Sequence, residues 1–116
     1  MQQAVQTALA DEGEVVMAFT HISHVYKQGA SLYTTYFFRA AKDHASTLQR
    51  WQKIKQAASI SLANGAATIS HQHGVGHDHA PYLTAEKGEL GIQVTRDMLK
   101  SLDPEQRMNP GVLLEN

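Results

Sequence analysis

The chain has 116 residues, of which 42% are hydrophobic and 18% charged, with a formal net charge of −1 and no cysteine. That length and mixture point to one globular domain rather than a disordered tail. The charge balance excludes a basic field for nucleic acid or an anionic membrane, the missing cysteines exclude disulfides and thiolate metal sites, and no apolar run nears the roughly 20 residues that span a bilayer.

The opening "MQQAVQTALADEG" favours helix through its Gln and Ala content, with Gly13 as its stop. It has no basic start followed by an apolar core, so it does not read as a secretory signal. Together with the cysteine-free composition this predicts a soluble, cytoplasmic protein. "EVVMAFTHISHVY" (Glu14–Tyr26) is rich in β-branched and aromatic residues and reads as a strand, followed by a turn in "KQGA" around Gly29. "SLYTTYFFR" (Ser31–Arg39) is a second strand, with Leu32, Thr34, Tyr36 and Phe38 on one face and Tyr33, Thr35, Phe37 and Arg39 on the other.

The stretch "STLQRWQKIKQAASISLANGA" carries Leu48, Trp51, Ile54, Ala58 and Leu62 at steps of three and four, the spacing of a helix face. Ser46 or Thr47 can cap its start, and Asn64-Gly65 can end it. "AATIS" (Ala66–Ser70) is a short strand candidate that runs into a histidine-rich segment. After Pro81, "TAEKGELGIQVTRDMLKSLDP" reads as a last helix, capped by Thr84 and stopped at Asp103-Pro104, with Gly88 and Gly91 as weak points. The tail "EQRMNPGVLLEN" is irregular.

The order α-β-β-α-β-α predicts an α+β fold. It matches a ferredoxin-like split unit that lacks its first strand, with an antiparallel sheet, an added C-terminal helix and a tail. The position left open beside the sheet exposes unpaired backbone groups, so the chain is expected either to form a homodimer or to be completed by a larger parent.

In "TISHQHGVGHDH" four histidines, His71, His73, His77 and His79, fall within nine positions and are broken by Gly74 and Gly76. Three readings stay open on spacing. Histidines beside glycines often sit in exposed polar loops. The "HQH" and "HDH" pairs offer imidazoles at close spacing for a metal, although no HExxH or CxxC is present. Finally, His71 and His73, pointing the same way on an extended segment, can enter a Gly-x-Gly turn that lets the backbone approach a ligand, with an imidazole as general base.

The wider strings "TISHQHGVGHDHAPYLTAEKGELGI", "LDPEQRMNPGVLL" and "HISHVYKQGASLYTTYFF" resemble the C-terminal domain of FAD-linked oxidases of the vanillyl-alcohol oxidase superfamily, and within it the alkyldihydroxyacetonephosphate synthase branch. The resemblance covers nearly the whole chain. It implies FAD as cofactor, held mainly by an N-terminal domain that these 116 residues do not contain, so residues 1–116 would be the cap and substrate domain and inactive alone. It also implies a small-molecule substrate: a hydroxyacid, an alcohol or an acyl-dihydroxyacetone phosphate.

Carried over by position, the family's histidine motif falls on His71, Gln72 and His73. The synthases have three consecutive histidines there, so Gln72 is a departure. The resemblance gives His73 and His71 the role of base and Tyr33 that of acid. It places Asn109, with the Gly74 and Gly76 backbone, near the flavin, and His24 and Gln72 toward substrate. Arg39 after the second strand, or Lys42 just beyond it, can meet a substrate phosphate, and can equally be a solvated strand end. Asn109 can equally complete a turn with Pro110 and Gly111. His77, Asp78 and His79 read as loop structure, with Asp78 capping or pairing a histidine, and His21 and His44 have no assigned role.

The related 2-hydroxyacid dehydrogenases resemble "GHxGDGNLH" where this chain has "SHVYKQGASLY". They hold a divalent metal with two histidines and a glutamate. Here His24 matches the first ligand, while Tyr33 and Gln72 replace the other two. One imidazole out of three ligands does not hold a metal tightly, so no metal is expected. A dehydrogenase-type domain, or a free-standing module using the histidine loop for metal or ligand, are the competing readings.

Overall fold

The computed structural model describes residues 1–65 and 67–114, and the chain forms two compact units, Met1–Ser61 and Leu62–Asn116. Its apolar residues gather into two cores, one in each unit, in place of the single core that the length suggests.

In the first unit, α1 (Gln2–Gln6) leads into a 3-10 turn at Ala10–Glu12, and Gly13 ends it with a left-handed φ of 68°. The expected stop is therefore real, although the helix before it is broken into two pieces. Strands β1 (Met17–Tyr26) and β2 (Gly29–Phe37) pair antiparallel around a two-residue turn at Lys27-Gln28, so Gly29 opens a strand instead of forming the turn. The pairing shifts between Ile22 and His24, where Ser23 is the extra residue of a bulge.

The predicted alternation of β2 holds toward its end, where Thr34, Tyr36 and Phe38 are half-buried while Tyr33, Thr35 and Phe37 are exposed. Leu32 departs from it: it pairs with Ile22 toward the hairpin tip, and both are exposed. The core beneath the sheet is Val5, Leu9, Val16, Ala18 and Ile54.

Helix α2 (His44–Ala63) contributes Ile54 to that core. Its start is capped by Asp43, not by Ser46 or Thr47. One Asp43 carboxylate oxygen accepts the Ser46 N–H at 2.9 Å, and the other accepts the Ser46 hydroxyl at 2.9 Å. Thr47 turns its hydroxyl back onto the Asp43 carbonyl at 2.8 Å and accepts the Ala41 N–H at 3.0 Å. Along the helix, Arg50 pairs with Glu12 at 2.8 Å and with Glu14 at 3.4 Å, and Lys53 pairs with Asp11 and Glu12, each at 2.8 Å. Hydrogen bonds from Lys53 hold the Asp11 and Glu12 carboxyls below their ordinary range, with Arg50 adding to the effect on Glu12.

In the second unit, α3 (Gly76–His79) passes through a 3-10 turn at Ala80–Tyr82 into α4 (Leu83–Leu102). No side chain caps the start of α4, so Thr84 sits inside the helix. Gly88, flagged by sequence as a weak point, breaks it outright with φ 68° and ψ 165°, a conformation reserved for glycine. The tail is irregular, as expected, and Asp103 organises it by accepting the Met108 N–H at 2.7 Å. Ile69, Leu83, Ile92 and Leu114 form the core, with Leu62, Val75, Tyr82 and Leu113 half-buried around it.

The strand expected over Ala66–Ser70 is not formed at residues 67–70, and Ala66 lies outside the described residues. The Ile69 side chain is buried, but its N–H donates to the Glu86 carboxylate at 3.0 Å. A backbone donor satisfied by a side chain needs no neighbouring strand. Among the described residues the sheet thus has two strands, and the fold is α+β with an antiparallel hairpin, short of a full split unit.

Candidate functional site

The histidine segment is a fastened turn. At its entrance, Ile69 is anchored in the core and its N–H is held by Glu86. The next residue, Ser70, donates its hydroxyl to the Gly74 carbonyl, closing a loop around His71, Gln72 and His73. At its exit, Val75 packs against the same core, and the Gly76 carbonyl accepts the Leu113 N–H at 3.3 Å from the returning tail. Between these anchors His71 and His73 are exposed.

The segment is not extended, as the sequence suggested. Gln72 has φ 64°, which breaks the alternation that would have set both imidazoles on one side of a strand. Gly74 (φ 71°) and Gly76 (φ 59°) are left-handed too, and a Cβ on either would meet nothing within 4 Å. Backbone handedness, not crowding, is what asks for glycine there, and the space beside them is open.

Asp78 does not cap α3. That short helix starts at Gly76 with no side-chain cap, and His77, Asp78 and His79 lie within it. His79 is half-buried. Among the described residues no three His, Asp or Glu side chains stand close enough to share a metal ion. Glu86 is the carboxylate nearest in role to the turn. Its carboxyl is held below the ordinary range, first by the Lys87 ammonium at 2.8 Å and then by the Ile69 N–H.

The remaining predicted residues divide between the two units. In the first, Tyr33 is exposed on β2 and packs across the strands against His21, with ring centroids 5.4 Å apart and planes tilted by 31°. His24 sits beside the bulge, its Nδ1 3.0 Å from the Ser23 hydroxyl and 3.3 Å from that of Ser31. Arg39 follows β2 with its Nε 3.9 Å from Glu14, and its side chain is 79% exposed. In the second unit, Asn109 has φ 49° and its carbonyl accepts the Val112 N–H at 3.2 Å, so it does complete a turn over Pro110 and Gly111.

Several residues that sequence reading left without a role touch the candidates, among them Ser70 at Gly74, His21 at Tyr33, and Ser23 and Ser31 at His24, while Glu86 holds Ile69 at the entrance of the turn. Ser70 abuts the motif, and its proximity was the one signal available. Glu86 lies 17 residues beyond Ile69, and only the fold brings them together.

FAD, which the sequence resemblance implies, can be tested against this arrangement. Exposed imidazoles beside an open, glycine-flanked backbone fit the edge of a flavin ring, where polar donors and acceptors meet a flat surface. The sequence has no Gly-x-Gly-x-x-Gly run of the kind that cradles a dinucleotide diphosphate.

Comparison with known proteins agrees. The family model for FAD linked oxidases, C-terminal domain, matches residues 1–113. The chain is 27% identical over 114 residues to the alkyldihydroxyacetonephosphate synthase of Trypanosoma brucei brucei, covering 98% of this chain and 18% of that protein. It is 28% identical over 104 residues to the alkyldihydroxyacetonephosphate synthase of Dictyostelium discoideum, covering 90% of this chain and 17% of that protein. Over 48 residues, 41% of the chain and 10% of the other protein, it is 42% identical to a probable mitochondrial D-lactate dehydrogenase of Danio rerio. The chain spans less than a fifth of the length of each of these curated relatives. No solved structure matches it. Among the described residues no helix is long and apolar enough to cross a membrane. The chain belongs to the family of FAD-linked oxidase C-terminal domains.

Proposed function

We propose that this chain forms the substrate site of an FAD-dependent enzyme, working with a separate domain that supplies most flavin contacts, and that the enzyme acts in the manner of an alkyldihydroxyacetonephosphate synthase. The observation that carries this reading is the pair of exposed imidazoles, His71 and His73, on a turn fastened at both ends. An imidazole is the side chain best suited to take and return a proton near neutral pH, and fixing its backbone lowers the cost of aligning it with a substrate.

In this reading the bound flavin supplies the redox-active ring, and the chain's own residues handle protons and charge. His73, or His71 beside it, takes the hydroxyl proton of the entering fatty alcohol, and the displaced acyl group leaves as its carboxylate. Gln72 would meet the substrate, and Gly74, Gly76 and Asn109 would help to hold the cofactor. For the other unit, the acid role of Tyr33 and the substrate roles of His24 and Arg39 rest on the family resemblance and on the exposed Arg39 guanidinium.

A second reading is favoured by the 42% identity to the D-lactate dehydrogenase relative. There His73 would take the proton of a 2-hydroxyacid hydroxyl, and the flavin, when bound, would supply the two-electron oxidation of that alcohol. The two are separated by substrate: acyl-dihydroxyacetone phosphate with a fatty alcohol, against a D-2-hydroxyacid with an electron-accepting dye. For either, His73→Ala in the FAD-loaded enzyme should abolish most turnover while the flavin absorbance stays with the protein. Wild-type turnover in that variant would overturn the assignment.

A further inference from the structure

We infer that Ser70 is a positioning residue for the histidine turn: its hydroxyl, closed onto the Gly74 carbonyl, sets the direction in which His71 and His73 face. This rests on the reading of those histidines given above. Three features of the turn lead to Ser70. The loop between Ser70 and Gly74 contains a left-handed Gln72, a conformation unfavourable for a residue with a side chain, which persists only where the surroundings enforce it. The anchors at Ile69 and at Gly76 fix where the loop begins and where it leaves, but neither acts on the three residues between. The Ser70 hydroxyl bond spans those three residues, joining the position before His71 to the position after His73.

Without that bond the Gly74 carbonyl is released, and Gln72 can relax to an ordinary right-handed or extended conformation. Relaxation of one central residue turns the flanking Cα–Cβ vectors relative to each other, so the two imidazoles part company. The Ile69 and Val75 anchors stay in the core, and the rest of the unit keeps its packing. A positioning role of this kind affects alignment in the transition state more than ground-state binding.

The test compares Ser70→Ala with Ser70→Thr, which keeps the hydroxyl. In the full chain, the three-bond HN–Hα coupling of Gln72, which reports its φ, should change in Ser70→Ala and stay near wild type in Ser70→Thr, while the Ile92 amide resonance is unchanged in both. In the FAD-loaded enzyme, Ser70→Ala should lower kcat about tenfold with KM little changed, and Ser70→Thr should restore it. An unchanged Gln72 coupling in Ser70→Ala overturns the inference, as does a joint displacement at Ile92, which would make Ser70 a residue of the general fold. Failure of the catalytic reading looks different: His73→Ala would then keep full turnover while the coupling result at Ser70 still stood.

Discussion

The two units hold themselves together in opposite ways. In the first, regular elements do the work: a hairpin and a helix enclose Val5, Leu9, Val16 and Ile54, and charged side chains tie the 3-10 turn to α2 across the surface. Gly13 is its left-handed residue among those described. In the second, handedness reverses repeatedly, at Gln72, Gly74 and Gly76 in the histidine turn, at Gly88 in α4, and at Gln106, Asn109, Gly111 and Leu113 in the tail. Irregular backbone cannot satisfy itself through ladders, so it borrows partners: a Glu86 carboxylate, a Ser70 hydroxyl, the Leu113 amide. The contrast teaches that the unit with the more costly backbone is the one that carries His71 and His73, the pair on which the proposed function rests.

The sharpest way to break this contrast is to exchange the roles of the two units. His73→Ala should lower turnover of the FAD-loaded enzyme by about 10²–10⁴-fold, the range for losing a general base, with little change in thermal stability. Steady-state kinetics beside a melting curve reads both. Ile54→Ala should do the reverse. It removes a fully buried side chain from the first core and should destabilise by about 2–5 kcal/mol, followed through Trp51 fluorescence in urea.

A smaller effect separates the electrostatics. The Glu86 carboxyl is depressed in the fold, so the stabilisation it gives is present above the ordinary glutamate value near 4.3 and is lost as pH falls through its lower folded value. The Ile69 amide resonance should therefore move in acid as Glu86 protonates. In Glu86→Gln, which keeps an acceptor but cannot titrate, that movement should vanish. The smallest expected change is at the start of α2, where Asp43→Ala should lower the melting midpoint by only a few degrees and leave the second unit's amide spectrum unaltered. A large loss there would mean that the cap organises more than its own helix.

What the sequence disclosed follows the same division. Period-two and period-four patterns are local, so the hairpin, α2 and α4 were legible to within a few residues. Gly13 was legible as a stop, whereas Gly88 was legible only as a weak point in a continuous helix, because a glycine's freedom does not by itself say that the chain will use it to break there. The supposed third strand was misread because Ile69 looks like a strand residue, while the group that satisfies its N–H lies on α4.

The His21–Tyr33 pairing was hidden for a subtler reason. If the tip register, Tyr26 with Gly29 and His24 with Ser31, ran on unbroken, Tyr33 would face Ile22. The single extra residue at Ser23 moves His21 into that place instead. The candidate site was legible in its residue types, because "SHQHGVG" is an unusual string. Its geometry was not, because the direction of each imidazole depends on Gln72 adopting a conformation that no propensity would suggest.

The hairpin carries one practical consequence. Among the described residues β1 and β2 make a ribbon two strands wide, with aromatic side chains such as Phe19 and Phe37 exposed on it. A strand edge that no neighbouring strand pairs can act as a template on which further strands grow. Fibril formation in concentrated stocks is therefore the hazard to watch for with a dye-binding assay, and a lysine at the exposed Thr35 position is the simplest gatekeeper against it.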